Sequence, residues 1–152
     1  MKRNWFNAPV SDSSGSLDIL RIVISLILIV HPVTRVLERH VAEFGEEMQS
    51  WGLPFGVGLA WLTTLTQLAA SVALLLRRLV VPFCISYIFI LILGIILIHF
   101  RHGWYVVGGG RNGMEYSCTL IGCLFAILWG YWPRQVSGVV IAPSRGASPS
   151  SV

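Results

Sequence analysis

Long apolar stretches alternate with short polar connections along most of the chain. Four stretches have about the 20 residues that a helix needs to cross the hydrocarbon core of a bilayer. They cover residues 17–36, 55–76, 79–100 and 114–132. An open sheet would leave backbone groups unpaired in hydrocarbon. The pattern therefore predicts an all-α fold, an integral membrane four-helix up-down bundle.

The connection after the first stretch has a helical pattern of its own. Its apolar residues recur at spacings of four, three, four and three, which places them on one face of a helix. They are Leu37, Val41, Phe44, Met48 and Trp51. Glutamates occupy the other faces. We expect an amphipathic helix here, lying in the outer interface of the membrane.

The two ends of the chain differ from the spans. Residues 1–16 and 133–152 are rich in Ser, Pro, Gly and Asn and have no sustained periodicity, which predicts disordered tails around one membrane domain of residues 17–132. Six basic residues lie on the side of the tails and four on the opposite side. Because basic residues favour the cytoplasmic side, both termini are expected in the cytoplasm.

Composition favours a lipid bilayer as the surroundings of the chain. The 152 residues are 55% hydrophobic and 12% charged, whereas a soluble domain has about 25% charged residues. The net charge is +4, but the basic residues are scattered, so no stripe for nucleic acid exists. The three cysteines, Cys84, Cys118 and Cys123, form no C-x-x-C motif, and their odd number excludes a full disulfide framework.

A glycine motif near the fourth span resembles a nucleotide-binding turn. Gly108, Gly110 and Gly113 fit G-x-G-x-x-G. A dinucleotide site places this motif in a βαβ unit, with an acidic residue about 20 residues further on. Here the helix that follows is an apolar span, and no Asp or Glu follows Glu115. We therefore expect no dinucleotide and interpret the glycines as a flexible outer loop.

An ionisable side chain within a membrane costs free energy, so each such residue is expected to have a structural or functional role. In the predicted topology four candidates gather at the outer end of the bundle, and Gln67 lies near the midplane. The four are His31, His99, His102 and Glu115. This placement predicts an outward-open polar pocket with Gln67 as its floor. Alternatively, these residues are interfacial and form no common site.

Other residues have a structural interpretation. Asp18 and Arg21 are three residues apart on one helix face and are expected to pair. Gly122, Ala126 and Gly130 recur every four residues on the fourth span, and we expect this small-residue face to point into the bundle, where it lets helices approach closely.

Metal and haem chemistry find little support in the sequence. No H-E-x-x-H motif is present, and no metal site is predicted. His31 and His99 lie on different spans and could both ligate the iron of a haem, a hypothesis that rests on two histidines alone.

Four segments together resemble the DoxX family of small four-span bacterial membrane proteins. They are LDILRIVISLILIVHPVTRVL, the loop ending in WGLP, QLAASVALLLRR and IHFRHGWYVVGGGRNGMEYS, and the resemblance covers about residues 17–132. Two positions depart from the family pattern. Pro32 stands where the family usually has Gly, which predicts a different shape for the turn after His31. Gln67 stands where many members have Glu, and Gln cannot titrate.

The resemblance implies a function in membrane redox chemistry. Some relatives are membrane subunits of thiosulfate:quinone oxidoreductase, and others belong to redox and thiol-stress complexes. We therefore expect a multi-pass protein of the bacterial inner membrane, at most a membrane subunit of a quinone-linked oxidoreductase, with quinone as its ligand and no permanently bound cofactor. Its partner would be an oxidoreductase or a second copy of the chain.

The predicted pocket gives this expectation specific residues. The predicted ligand-contacting residues are His31, Gln67, His99, Arg101, His102, Arg111 and Glu115. His31 and His99 would hydrogen-bond the ligand and Glu115 would relay a proton, while Arg101 or Arg111 would offset developing negative charge. The competing hypothesis is a non-catalytic assembly or scaffold protein, which would use the small-residue face and the amphipathic helix for contacts.

Overall fold

The computed structural model describes residues 14–106 and 113–132. These residues form five α-helices and one short 3-10 helix at His99–His102. The α-helices are α1 (Ser14–Leu37), α2 (Val41–Ser50), α3 (Gly56–Leu75), α4 (Val80–Leu97) and α5 (Glu115–Tyr131). No strand occurs in the described ranges. The all-α prediction is confirmed, and α1 begins three residues before the predicted span.

Three of the helices, α1, α3 and α4, are long and apolar enough to cross a membrane. α5 is a shorter apolar helix of 17 residues, about 25 Å long at a rise of 1.5 Å per residue. Large apolar side chains on the outside of these helices, such as Leu26, Leu65, Phe89 and Phe125, are more than half exposed. Hydrocarbon, rather than water, is the solvent for such a surface, and the prediction of a multi-pass membrane bundle is confirmed.

The four long helices pack as a ring. α1 contacts α3, α3 contacts α4, α4 contacts α5, and α5 returns to α1. Leu74, Cys84, Leu124 and Ile127 are fully buried in the core that the ring encloses. Each helix thus packs against its neighbour in sequence, which is the up-down arrangement that short connections favour.

α1 continues through Pro32 and ends at Leu37. A proline has no N–H, so the carbonyl of Leu28, four residues earlier, loses its helical donor. The Tyr87 hydroxyl on α4 donates to this carbonyl at 3.1 Å, and Ser71 Oγ on α3 lies 3.0 Å from the same hydroxyl. The turn predicted after His31 is therefore wrong. A neighbouring helix supplies the missing hydrogen bond, so the helix continues.

α2 packs against α3 at a pair of buried glycines. A Cβ on Gly56 would overlap the carbonyl oxygen of Gly45, and a Cβ on Gly45 would lie 2.6 Å from the Cα of Val57. Val41 and Met48 of α2 are buried as well. The apolar face predicted for this segment thus covers α3. Leu37 is not part of it, because it is the last residue of α1 and is 76% exposed.

We expect Gly56→Ala to loosen α2 from α3. The added methyl group would overlap the Gly45 carbonyl oxygen, and backbone cannot yield as a flexible side chain can, so about 1–3 kcal/mol of stability should be lost. Thermal unfolding in detergent and hydrogen–deuterium exchange of the α2 amides measure the effect. Gly58→Ala is the matched control, since a Cβ there meets nothing within 4 Å. Equal behaviour of the two variants would contradict the prediction.

Candidate ligand cavity

A cavity of about 420 Å³ lies between α1, α3, α4 and α5, next to α2. Apolar side chains make up most of its walls, and leucine is the most frequent of them. Its polar and ionisable lining residues are His31, Arg35, Thr63, Gln67, Tyr87, His99, Tyr116 and Ser117. An apolar chamber of this size with a few convergent polar groups is typical of small-molecule sites.

Three of the predicted ligand-contacting residues meet in this cavity. His31 comes from α1, Gln67 from α3 and His99 from the 3-10 helix that follows α4. Gln67 is buried, with 5% of its surface exposed. Three separate elements therefore bring these side chains to one chamber.

The other predicted residues lie elsewhere. Arg101 and His102 are exposed and outside the cavity lining, and His102 Nδ1 lies 2.9 Å from a backbone carbonyl one turn earlier. Glu115 is also outside the lining, and its Oε1 accepts a hydrogen bond from the backbone N–H of Val106 at 3.1 Å. The Glu115 carboxylate thus ties the segment before α5 to the first turn of that helix. Arg111 lies outside the described residues.

Gly113 allows this segment to approach α5 closely. A Cβ at position 113 would overlap the carbonyl oxygen of Tyr105. The N–H of Glu115 donates to the carbonyl of Trp104 at 3.0 Å in the same place. Gly108 and Gly110 of the G-x-G-x-x-G match lie outside the described residues. Gly113 therefore serves a contact between two stretches of backbone.

Arg35 lines the cavity as well, and in the sequence it is only one of the four basic residues opposite the tails. Its Nη1 donates to Gln67 Oε1 at 3.0 Å and to Thr64 Oγ1 at 3.1 Å. Its Cζ lies 4.1 Å from the centre of the Phe44 ring on α2, a cation–π distance. The available signal was spacing: Arg35 is four residues after His31, and the two share a helix face once α1 is known to continue through Pro32.

An open groove of about 460 Å³ adjoins the cavity on the side of α2. We call it the acidic groove, and its lining residues are His31, Thr34, Arg35, Glu38, His40, Glu43, Phe44 and Glu47. His31, Arg35 and Phe44 line the cavity too and so form the boundary between the two spaces. His40 lies 3.3 Å from a carboxylate oxygen of Glu38 and 3.8 Å from one of Glu43.

Asp18 and Arg21 form an ion pair near the start of α1. Arg21 is 5% exposed and its Nη2 lies 3.3 Å from Asp18 Oδ1. Its Nη1 donates to the carbonyls of Leu74 and Leu75 at the end of α3. The Tyr131 hydroxyl at the end of α5 donates to Asp18 at 2.8 Å. The expected pair is therefore present, and it joins three helices.

The small residues of α5 do not share a buried face. A Cβ on Gly130 would lie 2.5 Å from Leu17 Cδ1, so this glycine lets α5 approach α1. Gly122 and Ala126 are exposed, and a Cβ on Gly122 meets nothing within 4 Å. The expectation that they point into the bundle is wrong, because a different face of α5 is buried. Its buried residues are Ser117, Leu120, Leu124, Ile127 and Tyr131.

Comparison with known proteins supplies the family. No curated protein and no solved structure matches the chain. The DoxX family model matches residues 16–100, which is more than half of the chain and includes α2, α3, α4 and all but the first two residues of α1. With this match and its bundle of apolar helices, the chain belongs to the DoxX family of membrane proteins.

Proposed function

We propose that this protein is a subunit or accessory of a membrane redox complex and that its cavity binds a quinone head group. The observation that carries the proposal is the cavity of about 420 Å³, with apolar walls and four nitrogen-bearing side chains near one another: His31, Arg35, Gln67 and His99. A quinone has a flat apolar ring with carbonyl oxygens on its edge, so it needs apolar walls and a few hydrogen-bond donors.

The proposed roles follow from the hydrogen bonds in the cavity. Gln67 Oε1 accepts from Arg35, which leaves the NH₂ of the Gln67 amide as a donor. His31 and His99 would donate to the quinone oxygens. The Arg35 guanidinium would stabilise negative charge that develops on an oxygen as the ring is reduced. With both termini in the cytoplasm of a bacterial inner membrane, the cavity would lie towards the outer side.

We expect a quinone titration to quench tryptophan fluorescence of the purified protein in a saturable way, because Trp51 lines the cavity. His31→Ala should weaken the binding of menadione by about tenfold, the loss of one hydrogen bond of about 1.4 kcal/mol. His40→Ala is the matched control, a histidine in the acidic groove and outside the cavity lining. The proposal fails if wild-type protein gives no saturable quenching, or if the two variants bind alike.

A scaffold function is the second candidate, and the exposed Gly122 and Ala126 favour it. Small residues on the outside of a membrane helix let a partner helix approach closely. Co-purification from native membranes in mild detergent separates the two functions. A redox subunit should bring a stoichiometric oxidoreductase with it. A scaffold should lose its partner in Gly122→Leu while quinone binding stays unchanged.

A further inference from the structure

The Arg35 side chain carries a positive charge into the wall of the cavity without a carboxylate to balance it. Among the described residues, no carboxylate oxygen forms an ion pair with Arg35 within 4.0 Å. Its two hydrogen bonds go to neutral acceptors, Gln67 Oε1 and Thr64 Oγ1, and both come from Nη1. A guanidinium has five N–H donors, and neither of these two bonds uses those on Nε and Nη2.

Of the described charged groups around this point, none forms an ion pair with Arg35. Among the residues that the structure describes, no Asp or Glu lines the cavity. Glu38, Glu43 and Glu47 line the acidic groove beyond the boundary, where Glu38 and Glu43 lie beside His40. His31 and His99, the other described basic residues of the lining, can only add positive charge when they are protonated.

A cation in apolar surroundings attracts an anion more strongly than the same cation in water, because the low dielectric does not screen the pair. From this geometry we infer that the cavity prefers an anionic amphiphile, an apolar ring or chain bearing one ionised oxygen that pairs with Arg35. The inference rests on the cavity of the proposed function and narrows the class of its ligand. A ring hydroxyl of a hydroxyquinone and the carboxylate of a fatty acid are two sources of the same chemistry.

Two quinones of nearly equal size provide the test, menadione and its ring-hydroxylated derivative phthiocol, whose hydroxyl is ionised at neutral pH. Titration of wild-type protein should show phthiocol binding at least about tenfold tighter than menadione, the range expected for a charge-assisted hydrogen bond. Arg35→Gln should remove this preference, and Arg35→Lys should keep part of it. Arg39→Gln, the loss of an exposed arginine outside the cavity lining, should leave it unchanged. A titration with laurate tests the carboxylate of a fatty acid as the other source of the anionic group.

The outcomes separate this inference from the proposed function. Equal affinity of wild-type protein for menadione and phthiocol overturns the anion preference and leaves the quinone proposal standing. Binding of laurate but of neither quinone, with loss of binding in Arg35→Gln, supports the anionic class and refutes the quinone. A preference for phthiocol that survives in Arg35→Gln refutes Arg35 as its origin. Saturable binding of none of the three probes to wild-type protein overturns both proposals.

Discussion

Asp18→Asn is expected to lower the free energy of unfolding by about 3 kcal/mol. Arg21 is 5% exposed and pairs with Asp18 at 3.3 Å. Removal of one member of a buried ion pair typically costs about 3–5 kcal/mol, because the other charge stays behind uncompensated. The lower end applies here, since the Asp18 side chain is 28% exposed and Arg21 keeps its hydrogen bonds to the carbonyls of Leu74 and Leu75. Arg77, which lies 3.4 Å from Asp18, would lose its partner too.

Unfolding in detergent, followed by heat or by titration with a denaturing detergent, measures this loss. Glu43→Gln is the matched control, because the Glu43 side chain is 74% exposed and its replacement should change stability by less than about 0.5 kcal/mol. The double variant Asp18→Asn with Arg21→Met should recover part of the stability, since it removes the unpaired buried charge of Arg21, whereas Arg77 still lacks its carboxylate partner. Similar stabilities of Asp18→Asn and Glu43→Gln would show that the pair contributes little.

The spans were predictable because hydropathy alone locates an apolar helix in a membrane protein. The predicted spans 55–76 and 79–100 correspond to Gly56–Leu75 and Val80–Leu97. The observed helices differ from the predicted spans where contacts with other helices determine the local structure. α1 continues through Pro32 because Tyr87 on another helix supplies a donor, and a pattern within one segment cannot show that. α4 ends at Leu97 and a 3-10 helix follows, which moves His99 off the α-helical face.

The cavity was predictable to the extent that topology alone places residues of different helices in the same half of the bundle. His31, Gln67 and His99 line one chamber because three elements bring them together. The rotation of α5 about its own axis was not predictable. In hydrocarbon an apolar residue is equally suitable inside and outside the bundle, so the sequence of α5 has little periodicity to show its buried face. For this reason Gly122 was expected inside and is exposed.

Tyr87→Phe is expected to cost about 1–3 kcal/mol, although it removes a single oxygen atom. The lost hydroxyl donates to the Leu28 carbonyl, which Pro32 deprives of its helical donor. A buried carbonyl without a partner carries a desolvation penalty of that size. The Ser71 hydroxyl would not be left without a partner, because its Oγ keeps its hydrogen bond to the Gln67 carbonyl at 2.8 Å.

A double-mutant cycle with Pro32→Ala identifies the cause of this loss. An alanine at position 32 restores an N–H four residues after Leu28, so the carbonyl regains a helical donor and no longer needs the Tyr87 hydroxyl. Tyr87→Phe should therefore cost about 1 kcal/mol less in the Pro32→Ala background than in the wild type. Tyr105→Phe, the loss of a hydroxyl on a 68% exposed residue, is the control. Equal costs in the two backgrounds would mean that Tyr87 does not serve the carbonyl that Pro32 leaves unpaired.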